Sequence, residues 1–343
     1  MAIYKIFSEK DTFISSYKPI QNFGRDEVLE ISNETELTSL NATKTRALIQ
    51  FPTSQIIDLI NNTISGSFVS YLKLFLANAY IPSDYNILGY PISRSWEMGL
   101  GRSGDDPITT LGCTWNDAAQ SSSWVSAGGD YLENISSSQD FNYLSNKDIN
   151  LDISNIVLDW YSGSIPNYGL LLKQSSSIEG SNDPIITKFF SMDTHTIYPP
   201  QLEFRWDDSS YSTTLTQITS SDFISTISNN KTEFEENTIY KFRIKARDKF
   251  PTRQFTTASV YLNTKALPSN SYWALKDIKT EEMVVDFDTT YTKISCDNTS
   301  NYFTLYMDGL EPERYYQILY KIVLNDGETI IIDDVSNYFK IIR

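Results

Sequence analysis

Gly99-Leu100-Gly101-Arg102-Ser103-Gly104 spells G-x-G-x-x-G. This loop cradles a pyrophosphate when a strand leads into it and a helix opens from it. Residues 93–97 can be read as the strand. The next residues, Asp105-Asp106-Pro107 and then Thr109-Thr110-Leu111-Gly112, do not open a helix, and two adjacent carboxylates repel a phosphate. The acid that would take a ribose hydroxyl about 20 residues on is missing near 121–123. The segment reads instead as a glycine-rich excursion between two strands of a β-sandwich.

Other chemistry-bearing residues are sparse. His195 is the single histidine, so any Ser-His-Asp or Cys-His arrangement would have to use it. Zinc spacings such as H-E-x-x-H are absent. Adjacent carboxylates occur at Asp105-Asp106, Asp207-Asp208, Glu235-Glu236, Glu281-Glu282 and Asp333-Asp334. Neighbours in a strand point to opposite faces, so adjacency does not make a glycosidase pair, and solvated loop charge is the expectation. Asp105 and Asp106 are the candidate calcium ligands, since calcium favours clustered oxygens, though no complete ligand loop accompanies them. Trp96, Trp115, Trp124, Trp160, Trp206 and Trp273 offer either a sugar-stacking platform or framework; core burial is expected for them. Lys241, Arg243, Lys245 and Arg247 fall on one face of a period-two run and form a basic stripe. It is either a solvated strand face or a docking face for an acidic partner.

These residues sit in a chain of 343 residues, long enough for two or three domains. Hydrophobic residues make up 40 %, which supports a sizeable core. Tyr, Phe, Ile, Thr and Ser are plentiful and Ala is scarce, a composition that suits pleated, half-buried strands and makes weak helices. The net charge of −15 argues against binding nucleic acid or anionic membrane surfaces. Two cysteines far apart form neither a disulfide framework nor a metal site. The N-terminal MAIYKIFSEKDTF lacks a signal-peptide core, and no apolar run is long enough to span a membrane. The expectation is synthesis in a reducing cytoplasm, with no export signal and no membrane insertion.

Period-two runs dominate. Strands are expected at 3–7, 27–31, 47–51, 71–77, 169–173, 201–206, 238–247, 301–306, 315–324 and 329–332, with Asn325-Asp326-Gly327 as a hairpin turn between the last two. One helix is expected over 153–161, where Ile153, Ile156, Val157 and Trp160 share a face. The polar run 207–212 marks a boundary.

An ordered set of segments carries a resemblance. Residues 15–24 (SSYKPIQNFG), Arg46-Ala47-Leu48-Ile49-Gln50-Phe51-Pro52, the 71–77 strand, Trp96-Glu97, Thr114-Trp115-Asn116, Trp124, Trp160-Tyr161-Ser162-Gly163, 167–173 (NYGLLLK) and 199–204 (PPQLEF) occur in sequence. Residues 1–207 thus resemble the DNRLRE family of β-sandwich domains, related to carbohydrate-binding-like jelly rolls. The resemblance implies that Trp96-Glu97 and Thr114-Trp115-Asn116 frame a structural hairpin with 99–104 at its tip. Residues 208–343 resemble domains of virion structural proteins of tailed phages of marine cyanobacteria, on 246–251 (ARDKFP), Leu267-Pro268-Ser269, Asn301-Tyr302-Phe303 and 309–316 (GLEPERYY). The Leu310, Pro312, Tyr315 spacing is also similar to fibronectin type III domains, in which a tyrosine docks on the sandwich edge.

The expected fold is therefore all-β: an N-terminal jelly-roll sandwich over 1–207, then one or two small Ig-like or fibronectin-like modules over 208–343. The expected function, carried by the resemblance, is a non-enzymatic virion structural protein on the tail, baseplate or neck. Its partners would be other virion proteins in symmetric copies, with no cofactor and no nucleic acid. The alternative is a carbohydrate-binding module for host surface polysaccharide.

Overall fold

The computed structural model describes residues 2–35, 42–142, 144, 147–181, 183–251 and 263–343. It is 43 % strand and 7 % helix, the all-β sandwich class expected from the composition. The chain divides into two compact units. The larger comprises Lys5–Ile64 and Val69–Phe204; the smaller comprises Met1–Tyr4, Ser65–Phe68 and Arg205–Arg343.

In chain order the first elements are β1 (Ala2–Phe7), β2 (Lys10–Ser15), β3 (Val28–Thr35), β4 (Ala42–Gln50), α1 (Thr53–Asn62), β5 (Phe68–Leu74), β6 (Leu76–Tyr80), β7 (Tyr85–Pro91), β8 (Asp117–Ala119), β9 (Ser122–Ser123), β10 (Ser137–Phe141), β11 (Ile149–Asp152), α2 (Ser154–Ser162), β12 (Leu170–Gln174), α3 (Ser176–Glu179), β13 (Ile185–Phe190) and β14 (Gln201–Trp206). One sheet has the order β1-β14-β5-β11; a second, curled sheet has the order β10-β7-β12-β4-β3-β13-β6, with β2 on β4. The chain steps repeatedly from one sheet to the other, as in a jelly roll: β4 to β5, β5 to β6, β10 to β11, β11 to β12. Alternating side chains fill the space between: Ala47, Ile49, Leu170 and Leu172 from the curled sheet, Leu72, Leu74 and Leu151 from the other, all buried. Gly89 allows this approach, because a Cβ there would stand 2.7 Å from a Leu151 methyl.

Two local readings change. The expected strand 71–77 is two strands, broken at Phe75, where the chain switches sheets. The N–H of Leu76, released from the first ladder, donates to the Asp148 carboxylate at 2.8 Å. Period-two alternation persists through the break, so the pattern alone cannot locate it. The helix α1 is not among the expected elements; it comes directly after Pro52 and buries only Ile56 and Leu59. The expected helix at 153–161 is α2, with Ile156, Val157 and Trp160 inward and Gly163 closing it at φ 74°.

The smaller unit holds β15 (Phe223–Ile227), β16 (Glu233–Glu235), β17 (Ile239–Asp248), β18 (Ser271–Asp277), β19 (Met283–Val285), β20 (Ser295–Cys296), β21 (Asn301–Tyr306), β22 (Tyr315–Val323), β23 (Thr329–Ile332) and β24 (Tyr338–Ile342). One sheet runs β15-β17-β21-β20, the other β16-β24-β22-β18-β19, with β23 on β22. A single core joins them, so this region is one sandwich. Rings stack across it: Trp273 on Phe303 at 4.9 Å, Phe303 on Phe242 at 5.3 Å, and Phe242 against Phe339 at 5.7 Å. The expected hairpin forms, with Val323 opposite Thr329 and Gly327 at φ 90°. It is Tyr316, not Tyr315, that docks on the sandwich: it is buried and its hydroxyl donates to the Glu311 carbonyl at 3.2 Å. Tyr315, one residue earlier, is half exposed.

Candidate functional site

The glycine loop encloses Asn22. The side-chain amide of Asn22 donates to the carbonyls of Met98 (2.8 Å) and Cys113 (2.7 Å). Its carbonyl accepts the N–H groups of Gly101 (2.8 Å) and Gly24 (3.1 Å). Its own N–H donates to Thr109, and Arg25 N–H donates to Gly101. A Cβ on Gly99 would fall 2.3 Å from Asn22 Oδ1, and one on Gly101 2.3 Å from the Asn22 carbonyl oxygen. The glycines therefore serve close backbone approach to an asparagine, and the Gly101 N–H that a phosphate would need is spent on it. The ends of the excursion are tied by Cys113 N–H to Glu97 carbonyl at 2.6 Å and Glu97 N–H to Ala118 carbonyl at 2.9 Å. The short β8–β9 hairpin follows it in the chain, with a register shift between Asp117 and Ala119.

The clamped loops carry apolar side chains into solvent. Leu100 is 69 % exposed, and Tyr17, Ile20, Ile108 and Leu111 are also exposed. Segment 17–21 is tied to the excursion by Lys18 Nζ to the Ser103 carbonyl, Gln21 Nε2 to the Arg102 carbonyl, and Asn116 N–H to the Pro19 carbonyl. These bonds hold together two loop segments that both carry exposed apolar side chains.

Asp105 serves the same loop. Its carboxylate accepts from the Thr109 hydroxyl (2.7 Å) and the Arg102 N–H (2.9 Å), which hold it below the usual carboxylate range. Asp106 is exposed and does not join it. Among the described residues no group of three or more His, Cys, Asp or Glu converges on one point; what the structure shows of Asp105 is a loop staple. Asp26 holds the far side, accepting from Ser103 N–H at 3.1 Å, with burial pushing its carboxyl up.

The larger unit also holds a cleft of about 700 Å³ lined by Arg46, Arg94, Ser126, Asp130, Tyr131 and Glu133 among others. One of its lining residues, Arg46, belongs to a buried charge triad. Arg46 grips Glu179 through Nε (2.9 Å) and Nη2 (2.8 Å), and Lys173 reaches the same carboxylate at 3.1 Å. Arg46 Nη1 donates to the Gly128 carbonyl, and its guanidinium lies 5.1 Å from the Trp115 ring centroid. At the rim, Asp130 accepts from the N–H groups of Val125 and Ser126, and Arg94 binds Ser122 and Ser123. Both oxygens of Glu179 are already held by cations, so this carboxylate is a structural pivot and not a free base.

The tryptophans fall mainly to the core. Trp96 and Trp124 are buried, their indole N–H groups donating to the Tyr168 and Thr114 carbonyls. Lys10 lies 4.4 Å from the Trp96 centroid; its ammonium is depressed by burial. Trp115 is half-buried beneath Arg46. Glycan stacking on Trp96 and Trp124 has no basis. His195 is 89 % exposed beside Glu27 at 3.6 Å. Burial pushes both thiols, Cys113 and Cys296, up, away from nucleophilic ionisation.

The basic stripe lies on β17, with Phe242, Ile244 and Ala246 inward. Its four members are not equivalent. Arg243 pairs with Asp297 at 3.0 Å and donates to Ser300, and Lys241 lies 4.3 Å from the Tyr302 centroid. Arg247 donates to the Asp248 carbonyl, while Lys245 is exposed.

Sequence reasoning missed Asn22 and the Arg46–Glu179–Lys173 triad. The available signal was a charge at each end of an apolar run, Arg46 before 47–49 and Lys173 after 170–172. No family model and no curated protein matches this chain. Among the described residues no helix is long and apolar enough to cross a membrane.

Proposed function

We propose that this chain is a non-enzymatic structural protein of a tailed-phage virion, working by protein–protein assembly on the tail, baseplate or neck. The observation that carries the assembly reading is the set of exposed apolar side chains Tyr17, Ile20, Leu100, Ile108 and Leu111 on loops hydrogen-bonded around Asn22 and to each other. Large apolar side chains held rigidly in solvent lose little entropy on docking and shed water when covered. In the smaller unit, exposed Lys245 on β17 adds a charged contact for an acidic neighbour. The phage assignment rests on the resemblance of the second half to virion proteins.

Electron microscopy of phage particles carrying an antibody to this chain tests the reading. Label at one fixed site is the expected result; unlabelled intact particles, with the protein free or on cells, overturn it. The double variant Leu100→Ser, Leu111→Ser should keep its melting temperature and fail to incorporate.

A second reading, recognition of host-surface polysaccharide, is favoured by one observation: the tyrosines Tyr315 and Tyr338, exposed side by side on the smaller sandwich.

A further inference from the structure

Tyr315 and Tyr338 sit on neighbouring antiparallel strands, β22 and β24, whose register pairs Tyr315 with Lys340 and Gln317 with Tyr338. The two tyrosines are thus diagonal neighbours on one face. Alternation sends Tyr316 and Phe339 into the core and leaves these two outside. They are 50 % and 40 % exposed, with ring centroids 6.2 Å apart and planes inclined by 55°. The inclined rings flank a cleft of about 320 Å³ that is closed by Ile278, Lys279, Glu313 and Arg314.

The cleft is built on fixed parts. Ile278 N–H donates to the Tyr315 carbonyl at 3.0 Å, which sets one wall. Arg314 is anchored by Nε on the buried Asp277 carboxylate at 2.6 Å. Asp277 feels burial pushing its carboxyl up, but Arg314 and the N–H groups of Thr280 and Lys279 outweigh it and hold it low, so the pair stays charged. Glu313 pairs with Lys340, whose ammonium also lies 6.0 Å from the Tyr315 centroid. One face of Tyr315 is taken by Lys340, and the cleft lies among the remaining aromatic surface and a ring of ammonium, guanidinium and carboxylate groups.

We infer that this cleft binds a single pyranose unit of a saccharide, one tyrosine stacking on the apolar C–H face of the sugar and the charged rim taking its hydroxyls. The inference rests on the polysaccharide reading above. The volume lies at the low end of small-ligand sites, about 300–1,000 Å³, which suits one ring and not an extended peptide groove. Amphipathic rings suit a ligand that is apolar on its faces and polar at its edge. The lining mixes both signs, Lys279 and Arg314 with Glu313, which offers donors and an acceptor to the hydroxyls of a neutral ligand.

The test is saturation-transfer NMR on the full chain with the methyl pyranosides of glucose, galactose, mannose, rhamnose and N-acetylglucosamine, then titration of any that respond. At least one glycoside should receive saturation. Tyr338→Ala and Tyr315→Ala should each weaken it at least tenfold, with Tyr315→Phe close to wild type. Lys279→Trp, at an exposed position, should block the cleft with the fold intact by circular dichroism. Binding unaffected by Tyr338→Ala and Lys279→Trp overturns the assignment of this cleft and leaves polysaccharide recognition standing elsewhere. No response from any glycoside overturns both. Capture of a proline-rich decapeptide with no glycoside response also overturns the proposal.

Discussion

The side-chain carbonyl of Asn22 accepts the N–H of Gly101 at 2.8 Å, inside the loop whose spacing matches a dinucleotide fingerprint. The same amide reaches the carbonyls of Met98 and Cys113. Asn22→Ala would strand these buried groups and cost at least about 3 kcal/mol, since each unsatisfied group costs about 1–3 kcal/mol. Gly101→Ala would push a methyl to 2.3 Å from the Asn22 carbonyl oxygen and cost about 1–3 kcal/mol. Urea unfolding measures both. A rise in melting temperature on adding NADH or ATP would contradict the clamp and restore the nucleotide reading.

Glu179 is buried between Arg46 and Lys173. Glu179→Gln leaves two buried cations short of a counter-charge and should cost about 3–5 kcal/mol. The triple replacement Arg46→Met, Glu179→Leu, Lys173→Met should recover much of that loss, because no charge is then left buried alone. Equal damage from the single and the triple variant would mean that the triad's geometry, not its charge balance, holds the cleft.

Asp11 lies in β2, buried, with one carboxylate oxygen accepting Met192 N–H at 2.8 Å. Burial pushes its carboxyl up to about 7; the Met192 N–H pulls against this and Asp193 adds to it. The unfolded chain ionises this group near pH ~4. Between about 4 and 7 the folded state keeps the extra proton, so stability falls as pH rises and levels off above about 7. Asp11→Asn should remove that slope and be more stable than the parent at about pH 8 by a few kcal/mol, while matching it at about pH 4. Chemical denaturation across this range checks the sign.

The Arg243–Asp297 pair is about a third exposed on each side. Such pairs contribute about 0–1 kcal/mol, so Arg243→Ala should shift unfolding by less than about 1 kcal/mol. Lys245→Glu should leave stability unchanged yet reduce incorporation into particles if β17 is a docking face. Normal incorporation would return the stripe to a solvated strand face.

The sequence alone determined the class of fold. Its period-two alternation, as in 239–248, specifies which face of a strand meets a core, and turn residues such as 325–327 place the hairpins, because both signals act between neighbours in the chain. It also determined the inward face of α2, where Ile156, Val157 and Trp160 recur at the helical period. What the tertiary structure alone decided depends on residues far apart in sequence. Alternation runs unbroken through Phe75, yet the chain changes sheets there, and Asp148, 72 residues on, takes up the N–H of Leu76. A glycine spacing that suits a phosphate suits an asparagine side chain equally well, and only packing brought Asn22 to it. Arg46 and Glu179 lie 133 residues apart, and Tyr315 meets Tyr338 only through the β22–β24 register. Local patterns record which face of an element is dry; which groups meet on that face is set by sheet order, which no short-range pattern encodes.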